Sequence, residues 1–253
     1  YGGLSTLNYQ KNKNLSMSGG LDMRYYRGEH YGQVYDLLGG DYAISIDNAT
    51  QTSNIKREGD VIDYHNDGLV KWAGVFSQVE YSNGVFSTFF NVSGSNSAYK
   101  RIDYFRKKDL VLEDTTIIGA LGTHPYFGEL VSDTLIVNGN IYTIDSHEAK
   151  TASTDWKWLR GYTIKSGANL NLDENNNIFL NIGYLSKAPR FSRVYTNYNT
   201  LEPYIRNEVV EAIEGGYSYR SSSFSANLNT YHTKWSNKPA VSYTHLTLPT
   251  MFE

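Results

Sequence analysis

The chain has 253 residues, no Cys and a net charge of −3, a composition that gives no basic field for nucleic acid and excludes disulfides, thiolate metal sites and a Cys nucleophile. No run of about 18 apolar residues exists, which excludes a membrane-spanning helix and leaves a spanning β-barrel open. The 22 Tyr and 22 Gly in a largely polar sequence indicate a β-rich protein.

Apolar residues recur at every second position along four parts of the chain, and each part predicts a β-hairpin. The predicted hairpins span residues 1–25, 69–99, 162–187 and 208–236. The strongest turn signal is Asn83-Gly84, because both residue types tolerate a positive φ. We therefore expect about eight antiparallel strands.

Long polar segments separate the hairpins. They cover residues 27–68, 100–156 and 189–207 and are rich in Asp, Asn, Tyr and Gly. Loops above about 15 residues are uncommon in compact soluble domains. Short turns that alternate strictly with long loops are instead the pattern of outer-membrane barrels, whose long loops lie outside the cell.

The third hairpin shows the alternation most clearly. Its bulky apolar residues occupy even positions: Tyr162, Ile164, Leu170, Leu172, Ile178, Leu180, Ile182 and Tyr184. Lys165 lies on the odd face, and Glu80 and Glu214 likewise fall opposite the apolar positions of their strands. An uncharged face suits lipid and also suits the core of a β-sandwich, so periodicity alone leaves both open; the long loops favour lipid.

Tyrosines cluster near the predicted strand ends, at positions 81, 162, 184, 217 and 219. In a membrane barrel such residues form aromatic rows at the two interfaces. In a sandwich they would be ordinary core or edge residues.

Several segments carry a family resemblance. "GYLSKAPRFSRVYTN" (183–197) and the segment 207–239 resemble late barrel strands of TonB-dependent outer-membrane receptors of the Bacteroidota type. The matching features are a Ser-Lys-Ala-Pro-Arg-Phe exit from a strand at 186–191 and a Glu-Gly-Gly-Tyr stretch at 214–217. Segments 19–42 and 70–105 look like earlier strands of the same barrels.

The resemblance implies a transmembrane β-barrel segment over residues 1–240, in the outer membrane, that takes part in energy-coupled uptake of a scarce solute. A metal chelate, cobalamin, a glycan or a peptide would fit. The implied partners are outer-membrane lipid, the extracellular solute or glycan, the TonB complex and a surface lipoprotein. No enzymatic step and no cofactor are expected.

The chain also departs from the family pattern. The family implies a plug, a TonB-binding segment and roughly 22 strands, whereas this sequence predicts about eight strands, with the plug, the TonB-binding segment and any secretion signal expected outside it. Gly215 replaces a larger apolar residue. Residues 241–253, "VSYTHLTLPTMFE", resemble translated sequencing-adapter read-through, and we expect an artefactual or disordered tail there.

Aromatic and donor side chains in the long segments are the candidates for binding an external ligand. The candidate ligand-binding residues are Tyr195, Tyr198, Tyr204 and Arg206 in the third loop and Tyr26, His30 and Tyr31 at the first. Such residues stack on sugars or pack against peptides and chelates, and they also pack loops against one another. Both roles stay open at this point.

Two further clusters invite a chemical interpretation. Asp60, Asp63, His65 and Asp67 could offer oxygen ligands to a cation, but the calcium-hand pattern is absent and a hydrated loop is the preferred interpretation. The segment 145–148, Asp-Ser-His-Glu, lacks a nucleophile elbow. We therefore predict neither a catalytic nor a metal site.

Two rival interpretations belong to other classes of protein. A complete eight-stranded barrel acting as an adhesin or anchor fits the number of strands, although its loops would be shorter. A soluble carbohydrate-binding β-sandwich fits the alternation, and predicts expression in the aqueous phase without detergent.

Overall fold

The computed structural model describes residues 1–195 and 199–238. Within them the fold is all-β, with a 3₁₀ turn at Phe191–Arg193 and no α-helix. No helix in the described part of the chain has the length and the apolar composition needed to span a membrane. The predicted tail at 241–253 lies outside the described residues.

The strands are numbered in chain order. The first six are β1 (Gly2–Gln10), β2 (Leu15–Gln33), β3 (Ala43–Ile44), β4 (Ile55–Lys56), β5 (Val61–Ser82) and β6 (Phe86–Asp103). Seven short strands follow: β7 (Lys108–Val111), β8 (Thr116–Leu121), β9 (Thr123–Tyr126), β10 (Glu129–Ser132), β11 (Leu135–Val137), β12 (Asn140–Tyr142) and β13 (Ala149–Lys150). The last four are β14 (Lys157–Asn171), β15 (Asn176–Lys187), β16 (Glu208–Arg220) and β17 (Ser225–Ser236).

The eight long strands form one sheet in the order β1-β2-β5-β6-β14-β15-β16-β17. Every neighbouring pair in it is antiparallel, and each long strand lies beside the next long strand along the chain. This confirms the predicted all-β fold and the four hairpins. The two edges, β1 and β17, pair with no further strand among the described residues.

The first and second long connections are shorter than predicted, and the third agrees with its predicted limits to within one residue. They span residues 34–60, 104–156 and 188–207, because β2, β5 and β6 extend beyond their alternating segments. Backbone pairing continues along β2 as far as Gln33, with a bulge after Tyr31, although the side chains there are polar on both faces. The second connection is not structureless either, since β7 to β13 lie within it.

All four hairpin turns lie at one end of the sheet, and each is capped by a side chain. The Oδ1 atoms of Asn12, Asn83 and Asp173 each accept two backbone N–H groups of their turn, at 2.8–3.1 Å. In the fourth turn, Ser221 Oγ accepts the N–H of Phe224 at 3.1 Å. These local bonds fix the register within each hairpin.

The turns are staggered from one hairpin to the next. A row of direct partners runs through Leu15, Tyr81, Thr88, Ala168, Leu180, Gly215 and Thr230. The row starts at the first residue of β2 but crosses β16 five residues before its end at Arg220. Each turn is therefore displaced along the strand direction by about one residue per strand. The line through the turns is oblique, and the strands are tilted by about 35° from the perpendicular to that line.

The two faces of the sheet differ sharply. One face, called the apolar face below, carries residues such as Leu21, Val75, Phe90 and Ile182, and no second layer of described residues covers it: Leu180 is 50% and Leu228 71% exposed. The other, the polar face, carries mainly Ser, Asn, Gly and charged residues in the alternate positions. The largest fully buried apolar side chains, Leu110, Leu121 and Val194, lie instead in the long connections.

The three contacts between neighbouring hairpins share one device on the polar face. A Phe ring lies over the glycine directly opposite it in the pairs Phe76–Gly20, Phe89–Gly167 and Phe179–Gly216. A Cβ at these glycines would lie 2.3–2.7 Å from a ring carbon, so only glycine fits beneath each ring. Aromatic cover of a cross-strand glycine helps to pin strand register.

Candidate ligand site between the long connections

The long connections meet at the end of the sheet opposite the turns. The first is tied to the second through Ala49, whose N–H donates to Phe105 O at 2.8 Å and whose carbonyl accepts the N–H of Thr123 at 2.6 Å. The second connection has its own core around Leu110, Leu121 and Ile144. This part of the molecule is therefore a packed structure that positions side chains.

The third connection folds back over the polar face. Phe191, Val194 and Tyr195 pack against Tyr99 of β6. The Tyr195 hydroxyl donates to the carbonyls of Tyr99 at 2.7 Å and Asp155 at 2.9 Å. Tyr195 is 6% exposed, and burial raises the pKa of its hydroxyl. Its ring and hydroxyl hold the connection against the sheet.

A cleft of about 970 Å³ remains where the three connections meet the polar face, at the end of the sheet opposite the turns. Its volume is in the range of small-molecule sites. The side chains that give it its chemistry are His30, Asp47, Asp63, Arg101, Asp103, Arg106, Lys107, Phe191 and Tyr195. It therefore combines charges of both signs with aromatic rings.

A buried ionic group contributes to the wall of this cleft. Arg101 is 8% exposed and Asp103 is 5% exposed, and Arg101 Nη2 lies 3.3 Å from Asp103 Oδ2. Arg106 Nε lies 3.9 Å from the same oxygen, while the N–H of Phe105 donates to Asp103 Oδ1 at 3.1 Å. Removal of one member of such a buried group leaves an uncompensated charge, so the arrangement is tightly specified.

A second cleft, of about 630 Å³, lies beside the first. The two share Arg106, Lys107 and Tyr195 in their linings, and the second adds Trp156 and Asn199. Lys107 forms an ion pair with Asp133, which His124 Nδ1 also approaches at 3.2 Å.

The structure separates the predicted ligand residues that it describes. Only His30 and Tyr195 line the larger cleft among those described. Tyr26, His30 and Tyr31 lie within β2 and not in a connection, so their predicted placement was wrong, because the strand extends to Gln33. Tyr26 and His30 point to the polar face, whereas Tyr31 lies on the apolar face opposite His65.

The remaining candidates belong to the third connection. Tyr204 is 81% exposed, and Arg206 is also exposed. Tyr198 lies outside the described residues. Sequence reasoning did not select Arg101, Asp103 or Arg106, although the spacing of three charges within six residues at the end of an alternating strand was a usable signal.

The Asp60–Asp67 cluster is not a hydrated loop, so that interpretation was wrong. Residues from Val61 onward belong to β5, and Asp67 is 1% exposed. Arg27 Nε and the Tyr104 hydroxyl each donate to Asp67 Oδ2 at 2.8 Å. Burial raises the pKa of Tyr104, and its bond to Asp67 acts in the same direction. Among the described residues no three His, Asp or Glu side chains converge to hold a metal ion.

Ser146 caps a turn. Its Oγ accepts the N–H of Thr143 at 2.9 Å. The structure thus gives the 145–148 segment a local structural role.

Comparison of the chain with protein-family models, with curated proteins and with solved structures returned no match.

Proposed function

We propose that residues 1–240 form part of the barrel wall of an outer-membrane receptor of the TonB-dependent type, which takes up a scarce solute by an energy-coupled route. The observation that carries the proposal is an uncharged, uncovered band on the apolar face of the sheet. The height of a residue is counted here in residues from the line through the turns towards the long connections. This line shifts by one residue from each strand to the next.

The band begins at the turns and has a sharp upper limit. On all eight strands, the apolar face carries no Asp, Glu, Lys or Arg from about 2 to 10 residues above the line of turns. The first charges above it are Glu211, Lys234, Lys71, Arg160 and Arg27. With the strand tilt included, the band is about 25 Å tall, the height of the lipid-facing band of outer-membrane barrels.

Tyrosines mark both borders of the band. Tyr9, Tyr81 and Tyr219 lie about 3 residues above the line of turns, and Tyr184, Tyr162 and Tyr25 lie about 10 to 12 residues above it. Tyr162 and Tyr184 stack with ring centroids 5.7 Å apart. Two aromatic rows at this separation are what the two interfaces of a bilayer favour.

The polar face carries charges at the same heights. Asp22, Glu80, Lys165 and Glu214 all project from it opposite the uncharged band. This suits the aqueous lumen of a large barrel, and the tilt of about 35° falls at the lower end of the range for barrel strands. In this arrangement the clefts between the connections lie on the extracellular side, where a solute arrives.

The two rival functions fit the geometry less well. A soluble sandwich needs a second layer over the apolar face, and no described residue supplies one. A complete small barrel needs β1 to pair with β17, which does not occur. The proposal assigns no chemical step and no cofactor to the chain.

Cysteine labelling provides the test, because the natural chain has no Cys. Ser77→Cys lies in the band of the apolar face, and Ser93→Cys on the adjoining strand projects from the polar face at a similar height. In membranes, we expect a lipid-soluble maleimide to label Ser77→Cys and a water-soluble reagent to label only Ser93→Cys. A monodisperse chain in detergent-free buffer, or equal labelling of both by the aqueous reagent, contradicts the proposal.

A further inference from the structure

Three basic side chains lie close together at and above the upper border of the apolar band. Lys71 of β5 is the direct partner of Ala98 of β6, and Lys100 lies two residues further along β6 on the same face. Arg160 of β14 is the direct partner of Asn96, two residues from Ala98 in the other direction. Residues offset by two positions on paired strands lie about 7 to 8 Å apart. Lys71, Lys100 and Arg160, called the basic patch below, therefore surround Ala98.

No carboxylate among the described residues neutralises the basic patch. A neighbouring charge at this height is paired, since Lys234 Nζ lies 3.3 Å from Glu211 Oε2. Within the part of the chain that the structure describes, no ion pair includes Lys71, Lys100 or Arg160. Like charges at this separation repel one another. The patch therefore favours an anion from outside the chain.

An exposed tryptophan lies within the basic patch. Trp158 of β14 is directly opposite Ala98, two residues from Arg160, and it is 55% exposed. Lys71 Nζ lies over the ring of a second tryptophan, Trp156, at 4.2 Å from its centroid, and this cation–π contact fixes the position of the ammonium. A sugar ring can stack on an exposed aromatic ring while its anionic substituents meet the neighbouring cations. The arrangement therefore suits an anionic sugar.

The height of the basic patch determines which molecules can reach it. In the proposed function the long connections are extracellular, so the upper border of the band lies at the headgroups of the outward-facing leaflet. In an outer membrane that leaflet consists of a glycolipid whose acyl chains are attached to a phosphorylated pair of sugars. Its headgroup thus presents phosphates and sugar rings at the level of the patch.

We infer that the basic patch and Trp158 bind the phosphorylated sugar pair of this glycolipid, which is of the lipid A class. Lys71 and Arg160 donate to phosphate oxygens, Lys100 adds to the positive field, and a sugar ring stacks on Trp158. The acyl chains lie below, along the uncharged band. The inference rests on the proposed function, because it requires the apolar face to lie in the outward-facing leaflet.

The test compares three lipids. The chain is reconstituted in phosphatidylcholine nanodiscs that contain lipid A, dephosphorylated lipid A or phosphatidylglycerol, and the lipid retained after detergent extraction is quantified by mass spectrometry. We expect lipid A to be retained about 25-fold over its dephosphorylated form, because each of two basic contacts to an anionic headgroup contributes about five-fold. Phosphatidylglycerol should be retained less than lipid A, because it has no sugar pair for Trp158. Equal retention of lipid A and either of the other two lipids overturns the inference.

Charge variants and a matched control locate the phosphate contacts. Lys71→Gln and Arg160→Gln should each lower the retention of lipid A about five-fold, whereas Arg160→Lys, which keeps the charge, should restore most of it. Lys165→Gln is the control, since Lys165 belongs to the same strand as Arg160 but projects from the polar face. Equal loss in Lys165→Gln and Arg160→Gln contradicts the assignment to the basic patch.

A variant of the tryptophan isolates the sugar contact. Trp158→Ala should lower the retention of lipid A but not that of phosphatidylglycerol, and Trp158→Phe, which keeps an aromatic ring, should lower it less. Loss of both lipids to the same extent in Trp158→Ala, or of neither, overturns the sugar contact and with it the glycolipid class.

The two proposals fail in different ways. A chain that does not enter membranes refutes the proposed function and the glycolipid site together. A chain that inserts, with Ser77→Cys labelled from the lipid, but retains lipid A no better than its dephosphorylated form refutes the glycolipid site alone.

Discussion

Leu180 and Asn181 are neighbours in β15, yet their side chains meet opposite surroundings. Leu180 lies at mid-height in the uncharged band of the apolar face, and Asn181 lies on the polar face, where its Nδ2 donates to Glu214 at 3.5 Å. The same contrast recurs along all eight strands. It shows that the register of each strand determines which side chains lie on the apolar face and which on the polar face, since a shift of one residue would exchange the two faces.

Register has two different origins in this sheet. Within a hairpin, the capped turn places each residue opposite its partner, as Asn83 does for β5 and β6. Between hairpins, connections of 20 residues or more cannot do so. The Phe-over-glycine pairs occur at just those three contacts, so we infer that they set the register that the turns cannot.

The largest effect on stability should come from a charge placed on the apolar face. Leu180→Lys puts an ammonium near the middle of the band and should lower the free energy of unfolding in vesicles by about 2 to 4 kcal/mol. Asn181→Lys is the matched control on the polar face, beside Glu214, and should change it by less than about 0.5 kcal/mol. Urea titration followed by tyrosine fluorescence measures both. Equal loss in the two variants would contradict the assignment of the faces.

Much of the sheet could be predicted from the sequence, because two-residue periodicity and turn chemistry are local signals. The Asn83-Gly84 turn and the even-numbered apolar positions of the third hairpin are examples. The upper end of β2 could not be predicted. Arg27, Glu29 and His30 remove the alternation there, while backbone pairing with β5 continues. Pairing depends on the neighbouring strand, which periodicity does not reveal.

The site was harder to predict than the sheet. Asp103 is close to Arg101 in sequence, but His30 and Phe191 reach the same cleft from distant parts of the chain. Tyr195 resembled a ligand residue because it is an aromatic residue in a long connection. Its burial depends on Tyr99 and Asp155, which no local pattern links to it. Contacts of this range are set by tertiary packing.

A smaller effect should follow from disturbing register between hairpins. In Gly167→Val, the new Cβ would meet Asn181 Oδ1 at 2.2 Å and Phe89 Cε1 at 2.5 Å, and displacement of these two side chains should cost about 1 to 3 kcal/mol. Gly94→Val is the matched control, since a Cβ there has no neighbour within 4 Å. A disulfide between Ser87→Cys and Asn169→Cys, which are direct partners, reports the β6–β14 register.

The outcome separates two explanations of the Phe–glycine pairs. If they set register, Gly167→Val should slow or abolish formation of this disulfide, and Gly94→Val should not. If the pairs only fill space, stability falls while the disulfide forms as in the parent. If the two valine variants are equally stable, the Phe–glycine pairs do not set the register between hairpins.

The smallest expected effect concerns the turn between β14 and β15, which Asp173 caps. The N–H of Asn175 lowers the pKa of Asp173, and the side chain of Asn176 adds to this. A group with a lowered folded-state pKa stabilises the protein above its unfolded pKa of about 4, and this stabilisation is lost as the pH falls through the folded pKa. Asp173→Asn keeps the acceptor oxygen but not the charge, so it should be less stable than the parent at pH 6 and equal to it near pH 2. A difference that persists unchanged at pH 2 would show that the charge of Asp173 has no part in holding this turn.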